Sequence, residues 1–215
     1  MRVLIFGDVH GNLVALEKML QKEQKEVDQL VCHGDVVNYG PWSNECVQLL
    51  ESVGCTCLRG NHETYFLNGA YPGEHPVAQA FFKHCYPSFL QHEIIAGYGE
   101  STVIGDYQVQ HTVNNRYIYP DTDVNALKLE KDYIIGHSHH QFTAESVTGR
   151  KLTNTGSVGQ NRKYINVINY VIYDTESKAL NLEALVYKVD LVIDKMKREK
   201  YPSVCVDYYE QKKRL

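Results

Sequence analysis

The chain lacks an excess of positive charge, a long apolar run and a paired cysteine motif. Its 22 Lys and Arg face 26 Asp and Glu, a net charge of -4. That balance offers no general attraction for a long polyanion. No stretch approaches the roughly 20 apolar residues of a membrane span. Met1-Arg2-Val3-Leu4 enters a strand directly, without the apolar core of a signal peptide. The expectation is a cytoplasmic protein with no membrane partner. None of the six cysteines (Cys32, Cys46, Cys55, Cys57, Cys85, Cys205) sits in a Cys-x-x-Cys pair. They read as reduced thiols filling core space. Internal repeats and linker-like segments are also missing. With 215 residues, 43% of them hydrophobic, the chain reads as a single domain over residues 1–215. What it does have is ten histidines, the side chain most often found on metals.

The organising stretch is Ile5-Phe6-Gly7-Asp8-Val9-His10-Gly11-Asn12. Val3 to Phe6 reads as a strand buried on both faces. Just past its end, Asp8 and His10 can turn toward one point and offer an oxygen and a nitrogen, a donor pair suited to a divalent transition metal. Leu13, Leu16 and Leu20 then recur at helical spacing. Asp28 to Cys32 is a second strand, ending in His33-Gly34-Asp35, so a right-handed βαβ unit is predicted. Ser43 is placed to cap a helix striped by Cys46, Leu49, Leu50 and Val53. Cys55 to Leu58 is a third strand, ending in Arg59-Gly60-Asn61-His62-Glu63.

Residues 64–95 lose the strand rhythm and read as a helical excursion, with one helix from Pro76 to His84. A hairpin follows across Gly105-Asp106, its second arm ending in His111. Residues 112–130 are polar and irregular. Lys131 to Ile135 is a strand ending in Gly136-His137-Ser138-His139-His140. Four strands follow, then a helix marked by Val189, Val192, Ile193 and Met196. The basic tail, Gln211 to Arg214, reads as loose. The order of elements predicts two packed sheets with helices on both outer faces, a four-layer α/β sandwich.

Five polar clusters thus follow five apolar strands: Asp8-Val9-His10, Gly34-Asp35, Gly60-Asn61-His62-Glu63, His111 and Gly136-His137-Ser138-His139. At the carboxyl edge of a sheet they would converge. In order and spacing the five blocks resemble the signature of the calcineurin-like metallophosphoesterases. The segments Gly34 to Pro41 and Asn154 to Gln160 resemble the small single-domain bacterial and archaeal phosphodiesterase branch. The resemblance runs from Arg2 to about Pro202.

The resemblance implies two metal ions. Asp8, His10 and His139 would hold the first. Asn61, His111 and His137 would hold the second, and Asp35 would bridge them. A hydroxide bridging the ions would attack phosphorus, and His62, beside the pair, would protonate the leaving group. An imidazole-rich site of mixed nitrogen and oxygen donors favours Mn, Fe, Zn, Ni or Co over Mg or Ca, with Mn first. The implied substrate is a phosphodiester or phosphomonoester of a small soluble molecule, with a nucleotide among the candidates; long nucleic acid is disfavoured. The alternatives are a dinucleoside polyphosphate or cyclic nucleotide hydrolase, a scaffold that keeps the fold without turnover, and an end-processing nuclease. Asn12 and Arg162 are candidate phosphate contacts, with a helix cap the other reading of Asn12. His33 and His140 read as supporting residues, and His75, His84 and His92 as bystanders. The mouth is expected at Asn38 to Trp42 and Thr112 to Asp123, with Tyr39, Trp42, Tyr117 and Tyr119 around Arg116. Thr112, Ser138, Thr155 and Asn161 depart from the branch pattern without removing a ligand.

Overall fold

The computed structural model describes residues 1–215. Strand β1 (Arg2–Phe6) runs parallel to β2 (Gln29–Cys32), with Val3 opposite Gln29 and Phe6 opposite Cys32. Helix α1 (Leu13–Glu23) connects them, as the apolar spacing predicts. Asn12 caps it, its Oδ1 accepting from Ala15 N at 3.1 Å. Helix α2 (Ser43–Ser52) leads to β3 (Thr56–Cys57), which pairs in parallel with β2. Ser43 does not cap α2; its hydroxyl instead accepts from Asn38 N at 3.0 Å and secures the loop after Asp35.

The helical excursion holds three helices: α3 (Asn61–Asn68), α4 (Pro76–Cys85) and α5 (His92–Ala96). Strands β4 (Ser101–Ile104) and β5 (Tyr107–Gln110) form the expected hairpin. Then come β6 (Asp132–Ile135), β7 (Gln141–Glu145), β8 (Lys151–Thr155), β9 (Val167–Asp174) and β10 (Leu180–Val186). Helix α6 (Asp190–Arg198) is followed by α7 (Ser203–Glu210), an element the sequence reading did not contain.

The first sheet has the order β10-β9-β1-β2-β3 and the second β4-β5-β6-β8-β7. In the first sheet β1, β2 and β3 are parallel and β9 and β10 add an antiparallel side; the second has a parallel centre, β5-β6-β8, and two antiparallel edges. Strand β1 shows why they stack. Its alternate residues Val3 and Ile5 join Val31, Val109 and Ile134 between the sheets. Leu4 and Phe6 face the other way, into a core closed by the helices. The second sheet is covered differently. Val113, Ile118, Val124, Leu127 and Leu129 fold over Ile135 and Leu152. This outer layer is the 112–130 loop with one 3-10 turn at Val124–Leu127, thinner than expected. No helix is long and apolar enough to cross a membrane. The tail is not loose. Lys213 O accepts from Ile165 N, Leu215 N donates to Asn166 Oδ1, and Arg214 pairs with Asp190.

Candidate metal centre

The carboxyl ends of β1, β2, β3, β5 and β6 open on the same edge of the two sheets, and the predicted clusters meet there. Five of the seven predicted ligands sit in the left-handed region: Asp8 (φ 49°), His10 (49°), Asp35 (54°), His137 (69°) and His139 (59°). Side chains other than Gly, Asn and Asp seldom adopt it, and such strain collects at functional sites. The strands end abruptly there, and the sharp turns aim the side chains back across the sheet edge.

Two groups of donors result. Asp8, His10, Asp35 and His139 form one, and Asp35, His111 and His137 the other, each with donor atoms within 4.8 Å of one another. In the first, His10 Nε2 lies 3.1 Å from His139 Nε2, which is 3.2 Å from Asp8 Oδ1. His10 Nδ1 donates to Val37 O at 3.3 Å, and His139 Nδ1 to Gln160 O at 2.9 Å. Both protons are therefore on Nδ1, and both Nε2 atoms present lone pairs. Two nitrogen lone pairs and a carboxylate oxygen face one another with no proton to share. Asp8 Oδ1 is buried with no hydrogen-bond donor. A cation resolves that arrangement, and these donors fit one.

In the second group His111 Nε2 is 3.0 Å from Asn61 Oδ1, 3.1 Å from His137 Nδ1 and 3.3 Å from Asp35 Oδ2. Asp35 Oδ2 also lies 3.9 Å from His10 Nε2, so one oxygen faces both groups. Its other oxygen accepts from His62 N at 2.8 Å.

The electrostatics fit the same reading. Burial works against the Asp8 charge, but His139 beside it holds the carboxyl well below its usual range. Asp35 is also held low, against its burial, chiefly by His111 and His62. Burial lowers His10 well below the ordinary imidazole value, and lowers His137 to about 4. His111 is the exception: although burial opposes it, Asp35 lifts it to about 9. Ionised carboxylates among mostly neutral imidazoles are a donor set for divalent ions.

His62 stands beside both groups. Burial lowers its pKa to about 4. Asn38 Nδ2 donates to His62 Nδ1 at 2.9 Å, so the neutral ring carries its proton on Nε2. Glu63 acts on the backbone around it. Its carboxylate accepts from the backbone N–H groups of Asp35 (2.8 Å), Val36 (2.7 Å), Val37 (3.2 Å) and Gly60 (2.8 Å). It ties the Asp35 loop to the start of α3. Its position three residues past Gly60, at the third residue of α3, was the available signal.

Asn12 has no free polar atom for a phosphate. Besides capping α1 it donates to Gly159 O and Tyr187 OH, and it is fully buried; the cap reading holds and the phosphate reading is corrected. Arg162 is half-buried, with Tyr208 OH as its partner. His33 lies under the site and meets Thr155 Oγ1 at 2.7 Å. His140 donates to Ser138 O. His84 packs on Tyr201, and His92 on Phe89.

A groove of about 640 Å³ opens beside the second group, lined in part by Arg59, Tyr65, Thr112, Asn114 and Tyr117. Of the two segments expected at the mouth, 112–123 contributes to this groove and 38–42 does not. Trp42 instead packs against the helical core, Tyr39 lies edge-on to His10, and Arg116 does not line the groove. The groove's cation is Arg59, already paired with Glu100.

An uncharacterised protein of Methanocaldococcus jannaschii is 23% identical over 230 residues, covering 93% of each chain. The crystal structure of a metallophosphoesterase from Sphaerobacter thermophilus matches with a TM-score of 0.78 at 23% identity, over 98% of each chain. A symmetrical bis(5'-nucleosyl)-tetraphosphatase of Psychromonas ingrahamii is 38% identical over 71 residues, 31% of this chain and 26% of that protein. A family model described as calcineurin-like phosphoesterase matches residues 1–193. The chain therefore belongs to the calcineurin-like phosphoesterase family.

Proposed function

We infer that the protein is a dinuclear metal-dependent hydrolase of small soluble phosphoesters. The observation that carries this is the sharing of Asp35 Oδ2 between two groups of converging donors. Asp8, His10 and His139 would hold one ion, and Asn61, His111 and His137 the other, with Asp35 common to both. Two divalent ions there, Mn first among them, would supply positive charge for the phosphoester and lower the pKa of bound water. His62 is neutral before substrate arrives, with its proton on Nε2; a bound phosphoester anion would raise its pKa so that the imidazolium could protonate the departing alcohol and return to the neutral ring. The aromatic rings of Tyr39, Tyr65 and Tyr71 pack around His62 and limit water access to it. Arg162 is placed to meet a phosphate oxygen.

A nucleotide is the favoured substrate, because Tyr65 and Tyr117 give the polar groove two rings beside the donor groups. The activity named for the Psychromonas relative, acting on bis-nucleosyl tetraphosphates, is the second reading, favoured by the same groove. The complete donor set and His62 weigh against a scaffold role. The test is metal analysis followed by a substrate panel with the reconstituted protein. About two ions per chain are expected, and Asp35→Asn should lose both metal and turnover more completely than any other single ligand change. Near-normal metal content and turnover in Asp35→Asn would overturn the shared-ligand assignment.

A further inference from the structure

The loop after β8 has no candidate ligand, yet it is bound tightly to the first motif. Ser157 Oγ donates to Asp8 O at 2.7 Å, Gly159 N donates to Asp8 O at 3.0 Å, and Val158 N to Gly7 O at 3.1 Å. Gln160 O orients His139, and the Gln160 amide donates to Tyr209 of α7. Two residues further on, the same loop delivers Arg162. Two arginines of the chain are half-buried, Arg59 and Arg162. Arg59 pairs with Glu100 and donates to two carbonyls. Arg162 has no carboxylate within ion-pairing distance and one hydrogen-bond partner, Tyr208 OH. Its partner Tyr208 lies 6.4 Å, ring to ring, from Tyr39, and Tyr39 stands edge-on to His10 at 4.9 Å, which puts Arg162 on the His10 side of the donor groups. A half-buried cation is costly unless an anion meets it. Here no protein anion does, and the remaining guanidinium nitrogens, none of them buried without a partner, are open to solvent or to a ligand.

We propose that Arg162, held in place by Tyr208, makes the centre selective for phosphomonoesters, including the terminal phosphate of a nucleotide, over phosphodiesters. This rests on the phosphoesterase reading above. A monoester carries up to two negative charges on three unesterified oxygens; a diester carries one on two. A fixed fork of donors with a full charge therefore gains more from the monoester. Tyr208 is a positioning residue. It comes from α7, which packs through Cys205, Val206 and Tyr209 against the helical core, so this helix sets the direction of the Arg162 guanidinium.

The test uses the full chain reconstituted with manganese. Rates are measured with p-nitrophenyl phosphate and with bis-p-nitrophenyl phosphate, which share a leaving group. Arg162→Met should lower the monoester-to-diester ratio of kcat/KM by about thirtyfold or more. Arg162→Lys should recover part of it. Tyr208→Phe, which keeps the ring, should raise KM for the monoester about three- to tenfold with little change in kcat. Calorimetry with inorganic phosphate gives a readout independent of turnover, and Arg162→Met should weaken binding about tenfold or more. A folded Arg162→Met protein with an unchanged ratio and unchanged phosphate affinity overturns the proposal. If Arg162→Met does not fold, an unchanged monoester KM in Tyr208→Phe overturns it equally. If the wild type cuts neither ester with any metal, the phosphoesterase reading fails instead, while the calorimetry still decides whether Arg162 receives phosphate.

Discussion

At the scale of single residues, His62 and Glu63 adjoin in sequence but do different work. His62 has a donor on Nδ1 and a proton on Nε2, so the neutral ring offers no lone pair to a metal, and the acid role proposed for it requires a bound phosphoester anion to raise its pKa. His62→Ala should keep metal content and slow turnover about a hundredfold or more. The loss should shrink for nitrophenol esters, whose leaving groups need little protonation; an equal loss for good and poor leaving groups would argue against the acid role. Glu63 works through the backbone. Burial pushes its pKa up, and Asp35 adds to this, while four N–H donors fill both oxygens and hold the ionised form. Glu63→Gln replaces one acceptor oxygen with a donor, so two of the four N–H groups lose their partner. Each such loss costs about 1–3 kcal/mol, so urea titration should show the variant less stable by about 2–6 kcal/mol. Metal affinity should fall with it, although Glu63 meets neither donor group. Unchanged stability would show that the loop holds Asp35 without this carboxylate.

At the scale of elements, the strands and their terminal clusters were legible because both signals are local. Apolar runs of strand length are followed at once by Gly, Asp, Asn or His. Legibility fell where a position depends on distant chain. Helix α7 has only a short apolar stripe, Cys205, Val206 and Tyr209, and becomes a helix by docking against α4 and α6. Tyr39 and Trp42 look like mouth residues by composition, but the inward turn after Asp35 buries much of both. The cover of the second sheet also went unread, since apolar residues scattered through an irregular loop carry no period. One close approach connects these elements. A Cβ on Gly136 would lie 2.0 Å from His33 Cε1 and 2.3 Å from Asp8 Oδ2. No rotation relieves that, because His33 is pinned to Thr155 and Asp8 accepts from His137 N at 3.0 Å. Gly136→Ala should therefore push the turn after β6 away from β1. Elemental analysis should find metal content reduced by half or more while the far-ultraviolet circular dichroism of the two sheets persists. Full metal loading would show that His33 can move aside.

At the scale of the whole molecule, the centre is where the two sheets are joined most directly. Asp8, His10, Asp35 and Asn61 follow strands of the first sheet, and His111, His137 and His139 follow strands of the second. The apolar layer between the sheets is small, nine buried residues against 37 in the core under the helices. Without cations, two buried carboxylates and facing lone pairs sit at this junction. Ions bound there would hold the sheets together and cancel that repulsion. A ligand that binds only the folded state adds about 2.7 kcal/mol at a hundred times its Kd. For a chain of this length each kcal/mol moves Tm by about 2–4 °C. Chelation should thus lower Tm by about 5–10 °C, and added manganese should restore it. Hydrogen exchange should locate the change: on chelation, protection should fall first in residues 111–118 and 136–140, where the thinly covered second sheet meets the site. Asp35→Asn should reproduce the chelated Tm without chelator. A Tm indifferent to chelator, in protein shown to carry metal beforehand, would mean that the small apolar layer alone holds the sheets together.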